Sequence, residues 1–298
     1  MTPWHFRAET ETLDDAARSG MAGQFIALPD GVVHYESSGP PDGQPVVLVH
    51  GFSVPCYIWD PTVPALAQAG FRVLRYDLYG RGASDRPAVT YDRDLFDRQL
   101  ENLMDALSIT GPADLAGISM GGPIVANFTA RHPERVRRLV LIDPAGFALK
   151  QSLAARLVTL PRLGEWVMDR FGDRILVSDL LHDFYQPERF PEYRSQYLPQ
   201  MRYRGFRRAL LSTLRSGIVT GNTDAYRQVG RQQRRALLLW GRDDKTIPFE
   251  THAQVLAAMP GIEFHAIDEA GHAPHYERPE LVNPLIIEFL ERNDADHG

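Results

Sequence analysis

At 298 residues, with 44% hydrophobic and 23% charged side chains, the chain can bury a large core and has the profile of a folded protein, not a disordered one. Its net charge of −6 and pI of about 5.9 give nucleic acid or an anionic membrane no overall attraction. Cys56 is the only cysteine, which excludes an intramolecular disulfide, and no cysteine–histidine cluster has zinc spacing.

The N-terminal stretch MTPWHFRAETETLDDAARSG lacks a basic segment followed by an apolar run, so it does not read as a secretory signal. No stretch approaches the roughly 18 apolar residues of a membrane span. A cytoplasmic location without integral membrane association is expected. Further along, QFIAL and VVHYES are short β-prone runs parted by Pro29-Asp30-Gly31, a hairpin signal. PVVLVHGF follows, an apolar run ending in glycine, the pattern of a strand buried on both faces. FRVLRYD, ADLAGIS, RRLVLID, RALLLWG and IEFHAID repeat that pattern at intervals. Helical periods fill the spaces between them, over about 93–108, 120–131, 250–259 and 279–292. Buried strands alternating with amphipathic helices predict an α/β fold: a mostly parallel central sheet of about eight strands, with helices on both faces.

One segment breaks the alternation. From Phe147 to about Tyr226 the sequence reads helical, with prolines at 161, 187, 191 and 199 and no buried-strand run. Residues 147–235 hold 16 Lys and Arg against 8 Asp and Glu, so the rest of the chain carries a strong negative excess. The expected organisation is a core of residues 1–146 and 227–298 with an inserted helical cap over 147–226. Ordinary crossover helices are the alternative. The basic balance of the segment suits either anionic substrates or an arginine-rich face salt-bridged to the acidic core.

The run Gly117-Ile118-Ser119-Met120-Gly121-Gly122 lies between an apolar strand and a helical stretch. A bare G-x-S-x-G pattern is weak, because chance matches are common. Its position gives it weight. A serine pinned between a buried strand and a helix must turn sharply, and only tiny residues two before and two after leave room. Such a turn exposes the hydroxyl beyond the sheet edge and sets the Met120 N–H at a helix N-terminus, where it favours developing negative charge. His50-Gly51-Phe52 ends an earlier strand, so the Phe52 N–H is the candidate second donor, with His50 as a residue that ties down its loop.

A serine hydroxyl needs an adjacent base. Of ten histidines, His5 and His297 lie near the ends, His34 and His265 in strands, His132 and His252 on helices. His272 follows the last strand in the turn Glu269-Ala270-Gly271-His272, on the edge of an α/β sheet where reacting groups gather. His275 is the runner-up. Asp243 and Asp244, just past RALLLWG, are the candidates for the acid that holds the base in one tautomer, with Asp143 after RRLVLID as a third.

Strand–GISMGG–helix, HGF upstream, DLYGRGAS between, and WGRDDKTIP then AGH downstream together resemble the α/β-hydrolase superfamily over nearly the whole chain, least in the first 20 residues and the cap. The resemblance implies a triad of Ser119, Asp244 and His272, since the family's acid stands three residues after the glycine of W-G-x-x-D. It implies oxyanion donors at Phe52 and Met120. S-M-G-G resembles bacterial carboxylesterases and lipases with helical caps, and cofactor-free perhydrolases. The serine disfavours epoxide hydrolases and haloalkane dehalogenases, which use aspartate there. Hydrolases of ring-fission products are similar too, but typically carry tryptophan after the histidine, where this chain has Ala273. The expected activity is therefore serine-dependent hydrolysis of a small carboxylic ester through an acyl-enzyme, with no cofactor, metal or nucleic acid, by a monomer or homodimer. Carbon–carbon bond hydrolysis, perhydrolase (haloperoxidase) chemistry and a non-catalytic binding module are the alternatives. Tyr57, Trp59, Phe147 and Tyr276 are the expected pocket lining, with cap–core packing as their other reading.

Overall fold

The apolar runs become the strands of one sheet in the computed structural model, which describes residues 4–148 and 153–292. They are β1 (Gln24–Leu28), β2 (Gly31–Ser38), β3 (Pro45–Val49), β4 (Arg72–Tyr76), β5 (Ala113–Ile118), β6 (Val136–Ile142), β7 (Ala236–Gly241) and β8 (Glu263–Ile267). Across the eight-stranded sheet they run β1-β2-β4-β3-β5-β6-β7-β8. The β1–β2 hairpin joins β4 antiparallel, and the other neighbours are parallel. Both faces are covered. Val47 and Val49 of β3 point into one apolar cluster while Val46 and Leu48 point into another. Leu238 and Trp240 of β7 oppose Leu237 and Leu239 in the same way, the two-residue alternation of a strand packed on both sides.

Helices α1 (Asp15–Arg18), α2 (Val63–Gln68), α3 (Arg93–Ala106) and α4 (Gly121–Arg131) belong to the first part of the core. The Asp92 side chain accepts the Leu95 N–H at 3.0 Å and so caps α3. Between β6 and β7 come α5 (Leu153–Val158), α6 (Leu163–His182), α7 (Pro191–Tyr197), α8 (Phe206–Ser216) and α9 (Thr223–Arg231). After β7 follow α10 (His252–Ala258), α11 (Pro274–Glu277) and α12 (Pro279–Glu291).

The expected cap boundary at 226 falls inside α9. Ala225, Tyr226 and Val229 of that helix sit in the core cluster beside α4, and the Tyr226 hydroxyl donates to the Ala145 carbonyl at 2.7 Å. Helix α9 is thus a crossover helix of the sheet, and α5 to α8 form the inserted unit. Residues 149–152 of the expected cap, and His297 with the last residues of the expected core, lie outside the described residues.

Polar contacts fasten this unit. Glu9 accepts the Gly205 and Arg207 amides at 2.6 and 2.7 Å and pairs with the buried Arg207 guanidinium, which also reaches Asp173. Arg81, itself buried, donates to Thr213 Oγ1 of α8 at 2.9 Å. The basic surplus of the segment is therefore only partly spent on the acidic core. Arg156, Arg162, Arg170 and Arg174 are exposed.

Candidate active site

The sheet's central strands converge on one turn. Between β5 and α4, Ser119 has φ +52°, a left-handed backbone that costs a side-chain-bearing residue free energy. The surrounding glycines make the turn possible. A Cβ on Gly117 would stand 2.4 Å from the Gly121 carbonyl oxygen, and one on Gly121 would stand 2.3 Å from that of Val49. Three backbone bonds hold the turn: the Ser119 N–H donates to Ile142 at 3.0 Å, and its carbonyl accepts from Gly122 and Ala145, each at 2.9 Å. The Ser119 side chain is half-exposed, and its hydroxyl makes no hydrogen bond to a described residue.

The loop after β3 approaches this turn closely. A Cβ on Gly51 would lie 3.1 Å from the Ser119 Cβ, so a side chain there would crowd the serine. His50 fixes the loop: its Nε2 accepts the Leu78 N–H at 2.9 Å, and its Nδ1 lies 2.9 Å from the Gly51 carbonyl, which it reaches as a donor. Burial lowers the His50 pKa to about 4, so the ring is neutral, as that donor–acceptor pattern requires. Phe52 follows directly, and Met120 opens α4 on the other side.

His272 lies in the loop after β8, and its Nδ1 is 2.8 Å from Asp244 Oδ2. The other oxygen of Asp244 accepts the Thr246 and Ile247 amides, each at 2.8 Å, so the carboxylate is fully oriented. Burial by itself would lower the His272 pKa. The Asp244 carboxylate, with Asp183 and Glu277 behind it, outweighs burial and leaves the pKa raised. Asp243 is half-buried and outside this arrangement.

The rival residues go elsewhere. His275 is buried against Trp59, with ring centroids 4.5 Å apart, and burial lowers its pKa to about 3. Asp143 accepts the Gly241 N–H at 2.9 Å through one oxygen, while its other oxygen is buried without a partner. Burial, and then the nearby Asp244 charge, push the Asp143 pKa well up.

Ser119 and His272 face a common cavity of about 290 Å³. Its apolar wall includes Phe52, Val54, Ile58 and Ile118 from the core and Leu176 and Leu180 from α6. Its polar wall carries Asp179, His182, Asp183, Lys245 and Thr246. Asp183 bridges cap and core: its carbonyl accepts the His272 N–H at 2.6 Å, and Oδ1 accepts the Thr246 hydroxyl at 3.0 Å. Its pKa rises to about 6, through burial first.

None of the four aromatic residues expected to line the pocket does so. Tyr57 and Tyr276 pack against Tyr193 of α7 at centroid distances of 5.3 and 5.0 Å, which is cap–core packing. Phe147 stacks on Tyr226, and Trp59 is fully buried behind His275. The sequence reading missed the α6 lining, Leu176 to Asp183, for lack of any motif. Lys245 and Thr246 stood next to Asp244 and could have been included on that ground.

His34, Cys56 and Asp77 are the one group of metal-type ligand atoms close enough together among the described residues. They are already engaged: Asp77 accepts the Cys56 and Ala83 amides and lies 2.8 Å from His34 Nδ1. The cluster anchors the DLYGRGAS loop.

The chain matches the family model described as the alpha/beta hydrolase fold over residues 44–279 and belongs to that family. It is 31% identical over 263 residues to the 2-hydroxymuconate semialdehyde hydrolase of Pseudomonas sp. strain CF600, covering 85% of this chain and 89% of that protein. It is also 31% identical, over 87% of this chain and 91% of the relative, to a 2-hydroxy-6-oxononadienedioate/2-hydroxy-6-oxononatrienedioate hydrolase of Burkholderia vietnamiensis. Among solved structures, a thermophilic esterase from Thermogutta terrifontis is 26% identical, with a TM-score of 0.76 over 90% of this chain and 98% of that one.

Proposed function

We propose that the chain is a serine hydrolase that works through an acyl-enzyme. One observation carries the reading: a strained serine at a strand–helix turn and a carboxylate-held histidine face the same cavity. Ser119 Oγ adds to a substrate carbonyl carbon while His272 Nε2 takes its proton, because Nδ1 is committed to Asp244. The Phe52 and Met120 N–H groups hold the oxyanion. The bond to the leaving group breaks as His272 returns the proton to it. His272 then removes a proton from water, whose oxygen attacks the acyl carbon and releases Ser119 and a carboxylic acid.

For the bond that breaks, the curated relatives support a carbon–carbon bond in a ring-fission product. The leaving carbon must then pass its electron pair into an adjoining conjugated carbonyl, and Lys245 is the cation available to a substrate carboxylate. The cavity walls support a second reading, carboxylic ester hydrolysis. They set Asp179 and Asp183 against Lys245, and Ala273 stands where ring-fission hydrolases typically have tryptophan.

Two assays test these readings. A fluorophosphonate probe is expected to label the wild type and not Ser119→Ala; labelling of both would end the Ser119 assignment. Turnover of a ring-fission dienoate without turnover of p-nitrophenyl esters selects the first substrate class, and the opposite pattern selects the second.

A further inference from the structure

We propose that the outer face of the inserted helices, around the α5–α6 turn, is a docking surface for an anionic lipid bilayer. Leu157, Leu160, Leu163, Trp166 and Phe171 are all exposed there, Trp166 and Phe171 each by about half. They are five of the ten exposed large hydrophobic residues among the described residues, gathered within fifteen positions. The two rings meet edge to face at 5.9 Å, and the three leucines lie around the turn that leads into the same helix. Single exposed hydrophobic residues are ordinary on a protein surface; a concentrated cluster marks a contact face.

The charges beside the patch choose its occupant. Three acids of α6 are each tied to an arginine from another segment: Glu165 to Arg215 at 2.6 Å, Asp169 to Arg7 at 3.3 Å, and Asp173 to Arg207. Arg156, Arg162, Arg170 and Arg174 are exposed and have no acidic side-chain partner among the described residues. The chain is negative as a whole, yet this face presents four unneutralised guanidinium groups interleaved with leucine, tryptophan and phenylalanine. That combination suits the boundary of a bilayer, where aromatic rings sit at headgroup depth and arginines meet phosphate.

The position of the patch gives docking a use. Helix α6 starts in the patch, and its far end supplies Leu176, Asp179 and Leu180, with Asp183 just beyond it, to the cavity of Ser119. An amphiphilic substrate held in the lipid would thus be close to the cap residues that admit it. The proposal is independent of which bond Ser119 cleaves.

Co-sedimentation of the full chain with phosphatidylcholine vesicles, with and without phosphatidylglycerol, tests it. The expected result is binding that requires phosphatidylglycerol and weakens with salt. Trp166→Ser/Phe171→Ser and Arg162→Glu/Arg170→Glu are each expected to weaken it by about tenfold or more, with turnover of a soluble substrate unchanged as the control for folding. Three outcomes overturn the proposal: wild-type protein staying in the supernatant with both vesicle types, equal binding by all variants, or a dimer in sedimentation equilibrium that Trp166→Ser/Phe171→Ser splits. The last would make the patch a contact between two copies of the chain.

Discussion

Ser119 holds a backbone conformation that glycine adopts freely, and this separates its structural cost from its chemistry. A left-handed residue with a side chain costs about 1–2 kcal/mol, whereas glycine costs about 0.5–1 kcal/mol in lost chain freedom. Ser119→Gly is therefore expected to unfold at or above the denaturant midpoint of Ser119→Ala, with both inactive; a clearly lower midpoint would show that the φ of +52° stores no strain. The base makes a second residue-scale prediction. In the proposed mechanism His272 must be neutral to accept the Ser119 proton, and its pKa is raised by Asp244 against the effect of burial. Activity should fall as pH drops through a value above that of an ordinary histidine, and Asp244→Asn should move that acid limb down while reducing kcat. Asp143 provides the contrast. Burial and the Asp244 charge push its pKa well up, toward the uncharged form, so Asp143→Asn should leave the acid limb where it is. A downward shift of the limb in a pH–rate profile would mean that Asp143 is ionised.

At the scale of elements, the seam between α6 and the loop carrying His272 is the point where the inserted helices meet the candidate site. Glu277 of α11 accepts the Gly271 amide at 2.6 Å and the Tyr185 amide at 2.7 Å, so one buried carboxylate holds the histidine loop and the segment just after α6. Glu277→Ala leaves both amides without their acceptor, at about 1–3 kcal/mol for each that stays buried. A lower unfolding midpoint together with a lower kcat is expected; a lower midpoint with unchanged kcat would show that the seam does not orient His272. The seam also responds to pH. Burial raises Glu277 to about 7 and Asp183 to about 6, against ordinary values of 4.5 and 3.8. Between those limits the folded chain binds protons that the unfolded chain has released, so stability declines as pH rises through that window. Thermal unfolding of the wild type should show this decline, and Asp183→Asn/Glu277→Gln should flatten it.

Over the whole molecule, the sheet was readable because parallel strands covered on both faces must be nearly continuous apolar runs, as in β5 and β7. The positions of Ser119 and Asp244 were readable because each follows such a run, and that of His272 because it follows the half-buried edge strand β8; turns after parallel strands gather at one edge. The cavity wall was not readable. Helix α6 is apolar both toward the cavity, at Leu176 and Leu180, and toward solvent, at Trp166 and Phe171, so no stripe separates its inner face from its outer one. The N-terminal stretch was equally opaque, since its partners are distant in sequence: Glu11 bridges to Tyr203, and Glu9 closes on Gly205 and Arg207. That contact makes a strong demand of a segment without a motif. Arg207 is buried, and removing one member of a buried ion pair costs about 3–5 kcal/mol. Asp173 remains with Arg207 in Glu9→Ala, which sets the expected loss near the lower end of that range. Chemical denaturation of Glu9→Ala measures it, and Glu9→Gln, which keeps an acceptor oxygen for one of the two amides, should fall between the variant and the wild type. A loss below about 1 kcal/mol, the scale of an exposed pair, would mean that the N-terminal stretch lies on the cap without holding it.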